Sequence, residues 1–252
     1  MPQKDVVGRG GLGLKGSDMR VFVLTGAGIS AESGLGTFRD KGGIWARFDP
    51  MKLATPEAFA HDPDQVHAFY NARRGNLLLA EPNAAHLALA RLEAALTEHG
   101  GDLFLCTQNI DDLHERAGSR RVTHMHGELL KARCLRCQAV IPWRDDLGLE
   151  VPCPSCGQAG DLRPHVVWFG EMPLEMDTIY DALLGADLFA AIGTSGSVYP
   201  AAGFVTEARG NGIRTCEVNL EPSDNARQFD ETFYGPASSA VPAWVDRVIG
   251  AL

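Results

Sequence analysis

Four short, almost uninterrupted apolar runs are spaced along the chain, with helix-patterned stretches between them. The runs are RVFVLTG at 20–26, GDLFLCTQN at 101–109, ADLFAAIGT at 186–194 and GIRTCEVNL at 212–220. The clearest helical stretches are residues 84–98 and 174–184. Strands without polar alternation are buried on both faces, and strands that alternate with helices form parallel sheets. The sequence therefore predicts an α/β fold, a Rossmann-like parallel sheet with helices on both faces.

Two segments interrupt this alternation. Residues 41 to about 82 are rich in aromatic, proline and charged residues, and they predict a helical insert, or flap. Residues from about 127 to 162 predict a small zinc-binding lobe, too short to have its own core without metal. The large domain would then comprise about 18–40, 83–126 and 163–252, and glycine-rich residues 1–17 would be a flexible tail. A cleft between the large domain and the inserts is the expected active site.

Composition narrows the classes of partner. The formal net charge of −9 opposes nucleic acid as the main partner, because phosphate backbones are bound by clustered Lys and Arg. No apolar run approaches the length of a membrane span, and the first residues lack the pattern of a signal peptide. We therefore expect a cytoplasmic protein with no membrane partner. The sequence does not indicate an oligomeric state.

The cysteines fall into two groups. Two Cys-x-x-Cys pairs are separated by fifteen residues and comprise Cys134, Cys137, Cys153 and Cys156. In a reducing compartment this spacing is typical of a structural zinc site and not of a disulfide framework. Cys106 and Cys216 lie in apolar strand-like runs and are expected to be buried packing residues.

The stretch TGAGIS, at residues 25–30, follows the first predicted strand and precedes a predicted helix. Glycines there allow a backbone to approach a phosphate, but an ordinary tight turn between strand and helix explains them equally well. The third glycine of the dinucleotide fingerprint is out of register, because Ala31 occupies its place and Gly34 comes three residues later. No acidic residue ends the second strand. A dinucleotide would therefore bind in a modified manner.

Other polar clusters follow predicted strands. Gln108, Asn109 and Asp111 end the second run, although an isolated Asp there is commonly a helix cap. In THMHGELLKARC, a histidine is a natural general base, but His124 and His126 also suit structural or metal-binding roles.

Two later stretches and one helical pair complete the candidates. GTSGSVYPAA, at 193–202, forms a second possible cradle of backbone and hydroxyl groups. In VNLEPS, Asn219 or Glu221 suits ribose hydroxyls, or serves the turn before Pro222. In HAFYNARRGN, Tyr70 and Arg73 share one helix face, and they either form ordinary surface or bind an acidic group together.

Taken together, these stretches resemble the sirtuin family. GAGISAESGLGTFRD, TQNID, HGEL, the paired CxxC, RPHVVWFGE, GTS and NLEP all occur in family order, from about Val21 to the C-terminus. The similarity is greatest to the bacterial CobB-type branch, which groups with the mitochondrial desuccinylase class. The resemblance implies an NAD-dependent protein-lysine deacylase that removes acetyl and succinyl groups, and malonyl groups with them. Its products would be nicotinamide, O-acyl-ADP-ribose and the free lysine.

The resemblance also implies roles for individual residues. NAD, as co-substrate, would be bound by Gly26, Ala27, Gly28, Ser30, Phe38, Arg39, Gln108, Asn109, Ile110, Asp111, Gly193, Thr194, Ser195, Asn219, Leu220, Glu221 and Ala237. His126 would be the general base, and the four paired cysteines would hold one structural Zn²⁺. Tyr70 and Arg73 would bind an acyl carboxylate, while Val167 and Phe169 of VVWFGE would bind the acylated protein as an added strand.

Three other functions fit part of the sequence. An NAD-dependent oxidoreductase could use the same sheet, but the departures from the standard fingerprint oppose it. A non-catalytic zinc-ribbon module that binds DNA is opposed by the acidic charge. An ADP-ribosyltransferase would use the same activation of NAD and would leave labelled ADP-ribose on protein.

Overall fold

The structure, a computed structural model, describes residues 18–37, 43–44 and 48–252. The predicted tail, 1–17, lies outside the described residues, as do Phe38 and Arg39. The described strands are β1 (Arg20–Thr25), β2 (Asp102–Thr107), β3 (Val122–His124), β4 (Gly127–Cys134), β5 (Val140–Pro142), β6 (Leu162–Val166), β7 (Leu188–Ile192), β8 (Arg214–Asn219) and β9 (Glu231–Tyr234). The described α-helices are α1 (Pro56–His61), α2 (Pro63–Leu79), α3 (Ala84–Glu98), α4 (Leu113–Arg116), α5 (Met176–Leu184), α6 (Phe204–Gly210) and α7 (Ala237–Ile249).

The main sheet has six strands in the order β3-β2-β1-β7-β8-β9, and every neighbouring pair is parallel. This confirms the predicted α/β fold. The four apolar runs form β1, β2, β7 and β8, the strands in the middle of the sheet. The edge strands β3 and β9 were not predicted, because they are short, partly exposed segments without an apolar run. The strand order reverses at β1, the position where open α/β sheets bind ligands.

Helices cover both faces of this sheet, and each face has its own apolar core. On one face α3 and α7 pack against the sheet through residues such as Leu89 and Trp244. On the other face α5 and α6 do so through Ile179 and Phe204. Within the described ranges, no helix combines the length and the apolar character that crossing a membrane requires.

The helical insert contains α1 and α2, and each begins with a sequence-encoded cap. The Thr55 hydroxyl accepts a hydrogen bond from the Ala58 amide at 3.0 Å, and the Asp62 carboxylate accepts one from Gln65 at 3.0 Å. Proline occupies the first turn of both helices, where its missing N–H costs nothing. The buried faces of the insert pack against Leu129, Val166 and Trp168. The insert therefore lies against the base of the small sheet.

The small sheet is antiparallel, in the order β5-β4-β6. Its last strand, β6, begins where the predicted zinc-binding lobe ends. Gly127, at the start of β4, has a φ of 79°, and a Cβ there would lie 2.2 Å from the His165 carbonyl oxygen. Glycine is therefore required where β4 begins to pair with β6.

The division of the chain into a large domain, an insert and a zinc-binding lobe stays a prediction.

The four paired cysteines converge beside this sheet, with all their sulfur atoms within 4.8 Å of one another. The Sγ atoms of Cys134 and Cys156 are 3.8 Å apart, and so are those of Cys137 and Cys153. Four thiolates about 2.3 Å from one Zn²⁺ in a tetrahedron would be separated by about 3.8 Å. The cluster therefore fits a structural zinc ion, and the closed set of four ligands gives that ion no role in catalysis. Cys106 and Cys216 are buried, as predicted.

We expect Cys134→Ser to lose bound zinc and to lower the melting temperature, because the lobe depends on the metal for its fold. Metal analysis should give about one zinc per wild-type chain and little in the variant. The matched control is Cys106→Ala, which alters a buried cysteine away from the cluster and should keep its zinc. A Cys134→Ser protein with full zinc content and an unchanged melting temperature would contradict the assignment.

Candidate active site

A cavity of about 1060 Å³ lies where the strands of the main sheet end. Its lining includes the residues that directly follow β1, β2, β7 and β9, together with the end of β8: Gly26, Gln108, Gly193, Gly235 and Asn219. A second cavity of about 800 Å³ lies between α2 and the turn after β1. Ala27, Phe69, Arg73, Asn109 and Ile110 line both cavities, so the two spaces adjoin at these residues.

The turn after β1 contains one short 3₁₀ turn, Ala27–Ile29. A second 3₁₀ turn, Ala31–Ser33, stands where the sequence predicted the start of a helix. The glycines here allow two turns of the protein to pack closely. The Gly28 amide donates to the Gly193 carbonyl at 2.9 Å, and a Cβ on Gly28 would lie 2.8 Å from the Gly193 Cα. The turns after β1 and β7 therefore form one wall of the cavity.

A buried polar network lies at the floor, where the two cavities meet. The Asn109 amide nitrogen donates to the Gly26 carbonyl at 3.1 Å and to the Ser30 hydroxyl at 3.2 Å. The Ser30 hydroxyl donates to Asp111 at 3.0 Å, and the Leu113 amide donates to the same carboxyl group at 3.2 Å. Burial raises the pKa of Asp111. Asp111 thus accepts the first backbone amide of α4 and is also a polar group in the wall of the smaller cavity.

His126 faces the larger cavity from the residue before β4. Its Nδ1 lies 3.0 Å from the Gln108 carbonyl oxygen, which can only accept, so Nδ1 carries the proton. Burial lowers the pKa of His126, and the hydrogen bond to Gln108 opposes this only in part. The ring is therefore neutral near pH 7, with a lone pair on Nε2. This is the state that a general base requires.

His124 has a different environment. Its Nε2 lies 2.7 Å from a carboxylate oxygen of Glu115. Burial opposes a charge on the ring, but the hydrogen bond and the charge of Glu115 outweigh it and raise the pKa of His124. His124 is thus engaged with Glu115, and neither histidine belongs to the cysteine cluster.

The far wall of the larger cavity is built on β7, β8 and β9. Asn219 donates from its side chain to the Thr194 carbonyl at 2.8 Å, which joins the turns after β7 and β8. Glu217 is buried, and its carboxylate accepts hydrogen bonds from the Ser223 hydroxyl and from the Tyr234 hydroxyl, the latter at 2.8 Å. Glu217 therefore fixes the loop after β8 against the end of β9.

Tyr70 and Arg73, on one face of α2, both line the larger cavity. Tyr70 is only 5% exposed, and burial raises its pKa to about 12, so the phenol keeps its proton. Arg73 is half-buried, with its guanidinium carbon 5.7 Å from the centre of the Phe69 ring. Burial lowers the pKa of Arg73 while Tyr70 and Asp111 raise it, and an arginine remains charged. The pair thus presents a neutral hydroxyl and a cation to the same cavity.

The segment after β6, residues 167–171, forms the rim of the larger cavity between His126 and Tyr70; we call it the rim segment. Val167 donates its amide hydrogen to the His126 carbonyl at 2.8 Å, and Phe169 donates to the Ala54 carbonyl at 2.9 Å. Because both amides are used inside the protein, pairing with a substrate strand through these two residues would use their carbonyl oxygens.

The structure brings most of the predicted site residues into one place. The larger cavity is lined by His126, Tyr70, Arg73, Val167, Phe169, Gly26, Ala27, Gly28, Gln108, Asn109, Ile110, Gly193, Thr194, Ser195, Asn219, Leu220, Glu221 and Ala237. Ser30 and Asp111 line the smaller cavity, and Phe38 and Arg39 lie outside the described residues.

Sequence reasoning missed the residues that hold these groups in place. Glu217 precedes the motif VNLEPS by one residue, and Trp168 and Glu171 lie inside the motif RPHVVWFGE. A carboxylate in an apolar strand was the available signal for Glu217. The partners of Trp168 and Glu171 lie on other elements, so no local pattern could reveal them.

Comparison with known proteins points to the same family as the sequence motifs. The model of the Sir2 family matches residues 26–200. An NAD-dependent protein deacylase of Caulobacter vibrioides is 64% identical over 234 residues, which cover 93% of this chain and 98% of that protein. An NAD-dependent protein deacylase of Escherichia coli K12 is 58% identical over 236 residues, covering 92% and 83%.

Solved structures agree. The crystal structure of a Sir2 homologue in complex with NAD has a TM-score of 0.81 to this fold, at 39% sequence identity. The match covers 92% of this chain and 90% of that one. With a family model over more than half of the chain, and relatives well above 30% identity over nearly its whole length, the chain belongs to the Sir2 family.

Proposed function

We propose that the protein is an NAD-dependent protein-lysine deacylase that removes acetyl and succinyl groups, and malonyl groups with them. One observation carries this proposal. A neutral histidine and a Tyr–Arg pair open onto the same cavity, whose other walls are the glycine turns of a Rossmann-like sheet. The similarity to NAD-dependent protein deacylases and to an NAD complex supports the same function.

The residues present fit NAD as the co-substrate. The cavity extends from the floor at Asn109 to the wall formed by Thr194 and Asn219, so it offers an elongated space with polar groups at both ends. We assign the adenosine half to the wall at β7 and β8, and the nicotinamide half to the floor at Asn109 and Asp111. When bound there, NAD would supply an electrophilic ribose carbon whose leaving group is nicotinamide.

The chain's own residues then have defined tasks. His126 would accept the proton of a ribose hydroxyl through Nε2, because its Nδ1 donates a hydrogen bond to the Gln108 carbonyl. Asn109 is held by its amide nitrogen, so its side-chain oxygen can orient a ribose hydroxyl or water without titrating. The insert and the rim segment surround the reacting groups and limit the access of water. With one water consumed, acyl-lysine and NAD would give nicotinamide, O-acyl-ADP-ribose and an unmodified lysine.

The Tyr–Arg pair defines the acyl preference. An arginine can bind a carboxylate through two parallel hydrogen bonds, and a tyrosine hydroxyl can add a third. A succinyl or malonyl group carries such a carboxylate at the end of its chain, and an acetyl group does not. Because Tyr70 is protonated and Arg73 is charged, both act as donors to an anion. Acetyl-lysine would remain a substrate that leaves these donors unused.

Mass spectrometry of acetylated and succinylated peptides, with and without NAD, tests the function directly. We expect both acyl groups to be removed only with NAD, with stoichiometric release of nicotinamide. Removal without NAD, a change in nicotinamide absorbance typical of hydride transfer, or labelled ADP-ribose retained on protein would each support a different reaction and oppose this one.

We expect His126→Ala to reduce deacylation by ~10²–10⁴-fold, the usual cost of losing a general base. NAD should still bind, because the glycine turns and the wall at β7 and β8 are unchanged. Isothermal titration gives the NAD affinity, and His61→Ala, on the exposed end of α1, is the matched control. A variant that retained more than about a tenth of wild-type turnover would exclude His126 as the base.

The pH dependence follows from the neutral state of His126. Its pKa is lowered, so the base is present above its ordinary value near 6.5 and is lost only as the pH falls below it. We expect log kcat/KM to be flat at neutral pH and to fall with a slope of about one below pH ~6.5. Samples returned to pH 7 and assayed again separate titration from acid unfolding. A midpoint above the ordinary value would contradict the burial of His126.

We expect Arg73→Met to impair desuccinylation far more than deacetylation, because a charge-assisted contact worth ~1.5–3 kcal/mol is lost. This corresponds to a selective loss of ~10-fold or more in kcat/KM for the succinyl peptide. Tyr70→Phe should act in the same direction and less strongly, since it keeps the ring. Arg91→Met removes an exposed ion pair with Asp246 and serves as the control. Equal losses on both substrates would show that the pair shapes the cavity without binding the carboxylate.

A further inference from the structure

A hydrogen bond joins the rim segment to the Tyr–Arg pair. The indole Nε1 of Trp168 lies 2.9 Å from the hydroxyl oxygen of Tyr70, although the two residues are 98 positions apart. Both side chains are buried, with 2% and 5% of their surface exposed. The two rings are tilted by 37°, with centroids 6.3 Å apart. This contact connects the segment after β6 to helix α2.

The chemistry of the two groups fixes the direction of this hydrogen bond. An indole N–H can only donate, so the Tyr70 oxygen must accept. The Tyr70 hydroxyl keeps its own proton, which is then directed away from Trp168. Among the charged groups that act on this phenol, Arg73 and Arg163 are donors only and cannot accept that proton. The third, the Glu171 carboxylate, is bound to Arg163 and to the Trp168 amide. The hydroxyl is thus prepared to donate to an acceptor that arrives in the cavity.

Contacts with Arg163 and Glu171 fix the position of Trp168. The guanidinium carbon of Arg163 lies 3.2 Å from the centre of the Trp168 ring, so the ring is covered on one face. Glu171 binds both terminal nitrogens of Arg163, at 2.7 and 2.9 Å, and accepts the backbone amide of Trp168 at 2.8 Å. Arg163 also donates to the Val166 carbonyl at 2.7 Å. The indole therefore has little freedom to turn away from Tyr70.

We propose that Trp168 is a positioning residue for acyl selectivity, because its indole N–H orients the Tyr70 hydroxyl as a donor to the carboxylate of a succinyl or malonyl group. This inference rests on the proposed deacylase function. Trp168 acts only through Tyr70. Because an acetyl group carries no carboxylate to accept a hydrogen bond from the Tyr70 hydroxyl, Trp168 contributes nothing to its removal. The segment predicted to bind the substrate backbone would then also fix the group that recognises the acyl chain.

The test is Trp168→Phe, which keeps an aromatic ring and removes the donor. We expect KM for a succinyl-lysine peptide to rise by about 3- to 10-fold, the range for losing one neutral hydrogen bond. Both kcat and the acetyl-lysine parameters should stay within about twofold of wild type, below the effect of one such bond. Fluorescence anisotropy of a labelled succinyl-lysine peptide, without NAD, should show the same loss of affinity. This second readout does not depend on turnover.

Two controls separate positioning from packing. In a Tyr70→Phe background, Trp168→Phe should cause no further selective loss, because the oxygen that it orients is gone. Trp143→Phe changes a tryptophan in the zinc-binding lobe and should leave the ratio of succinyl to acetyl activity unchanged. If Trp168→Phe does not fold, Trp168→Leu, which also lacks the donor, repeats the measurement.

Three outcomes would overturn the inference. Equal losses on acetyl and succinyl peptides would make Trp168 a packing residue. A selective loss that persists in the Tyr70→Phe background would mean that Trp168 contacts the acyl group without Tyr70. Unchanged KM and unchanged anisotropy would remove the role altogether. Failure of the proposed function has a separate signature, since the wild-type protein would then not desuccinylate with NAD although Trp168 could still alter binding of the peptide.

Discussion

The close approach of two backbone turns determines where everything else in the site can lie. The turn after β1 and the turn after β7 touch through Gly28 and Gly193, where an added Cβ would lie within 3 Å of backbone atoms. Only glycine permits this contact, and Gly193 also has a φ of 63°. These two turns line one side of the larger cavity. The insert and the rim segment line other sides of it and supply Tyr70, Arg73 and Trp168.

These groups work because burial sets their protonation states. His126 is neutral because a charged ring would lose hydration, and Tyr70 keeps its proton for the same reason. Arg73 stays charged in spite of burial, since guanidinium does not release its proton in proteins. The cavity thus combines a neutral histidine with donors that favour an anion. A solvated cleft with the same residues would leave the histidine partly protonated and weaken the binding of a carboxylate.

The sequence predicts the parts of the fold that local patterns specify. The four central strands, α3 and the cysteine cluster follow from apolar runs, helical periodicity and ligand spacing, while the assignment of His126 came from family resemblance. The edge strands β3 and β9 lack an apolar run and gave no signal. A helix was predicted to follow Ser30, whereas only a 3₁₀ turn, Ala31–Ser33, begins there. The backbone just before it is bound to Ile192 and Gly193, at the end of β7. The hydrogen bond between Trp168 and Tyr70 depends on tertiary packing and is invisible to any local pattern.

The small sheet explains why a zinc ion without a catalytic role can still matter for activity. Strand β4 begins directly after His126 and ends at the zinc ligand Cys134, and it pairs with β6 through Gly127 and Val166. The rim segment continues from β6, and Val167 donates to the His126 carbonyl at 2.8 Å. One antiparallel pair of strands therefore positions both His126, the proposed base, and Trp168, which we propose orients Tyr70. Because the cysteines fix the far end of β4, we expect loss of the metal to change the distance between His126 and the Tyr–Arg pair, and with it the geometry on which the proposed selectivity depends.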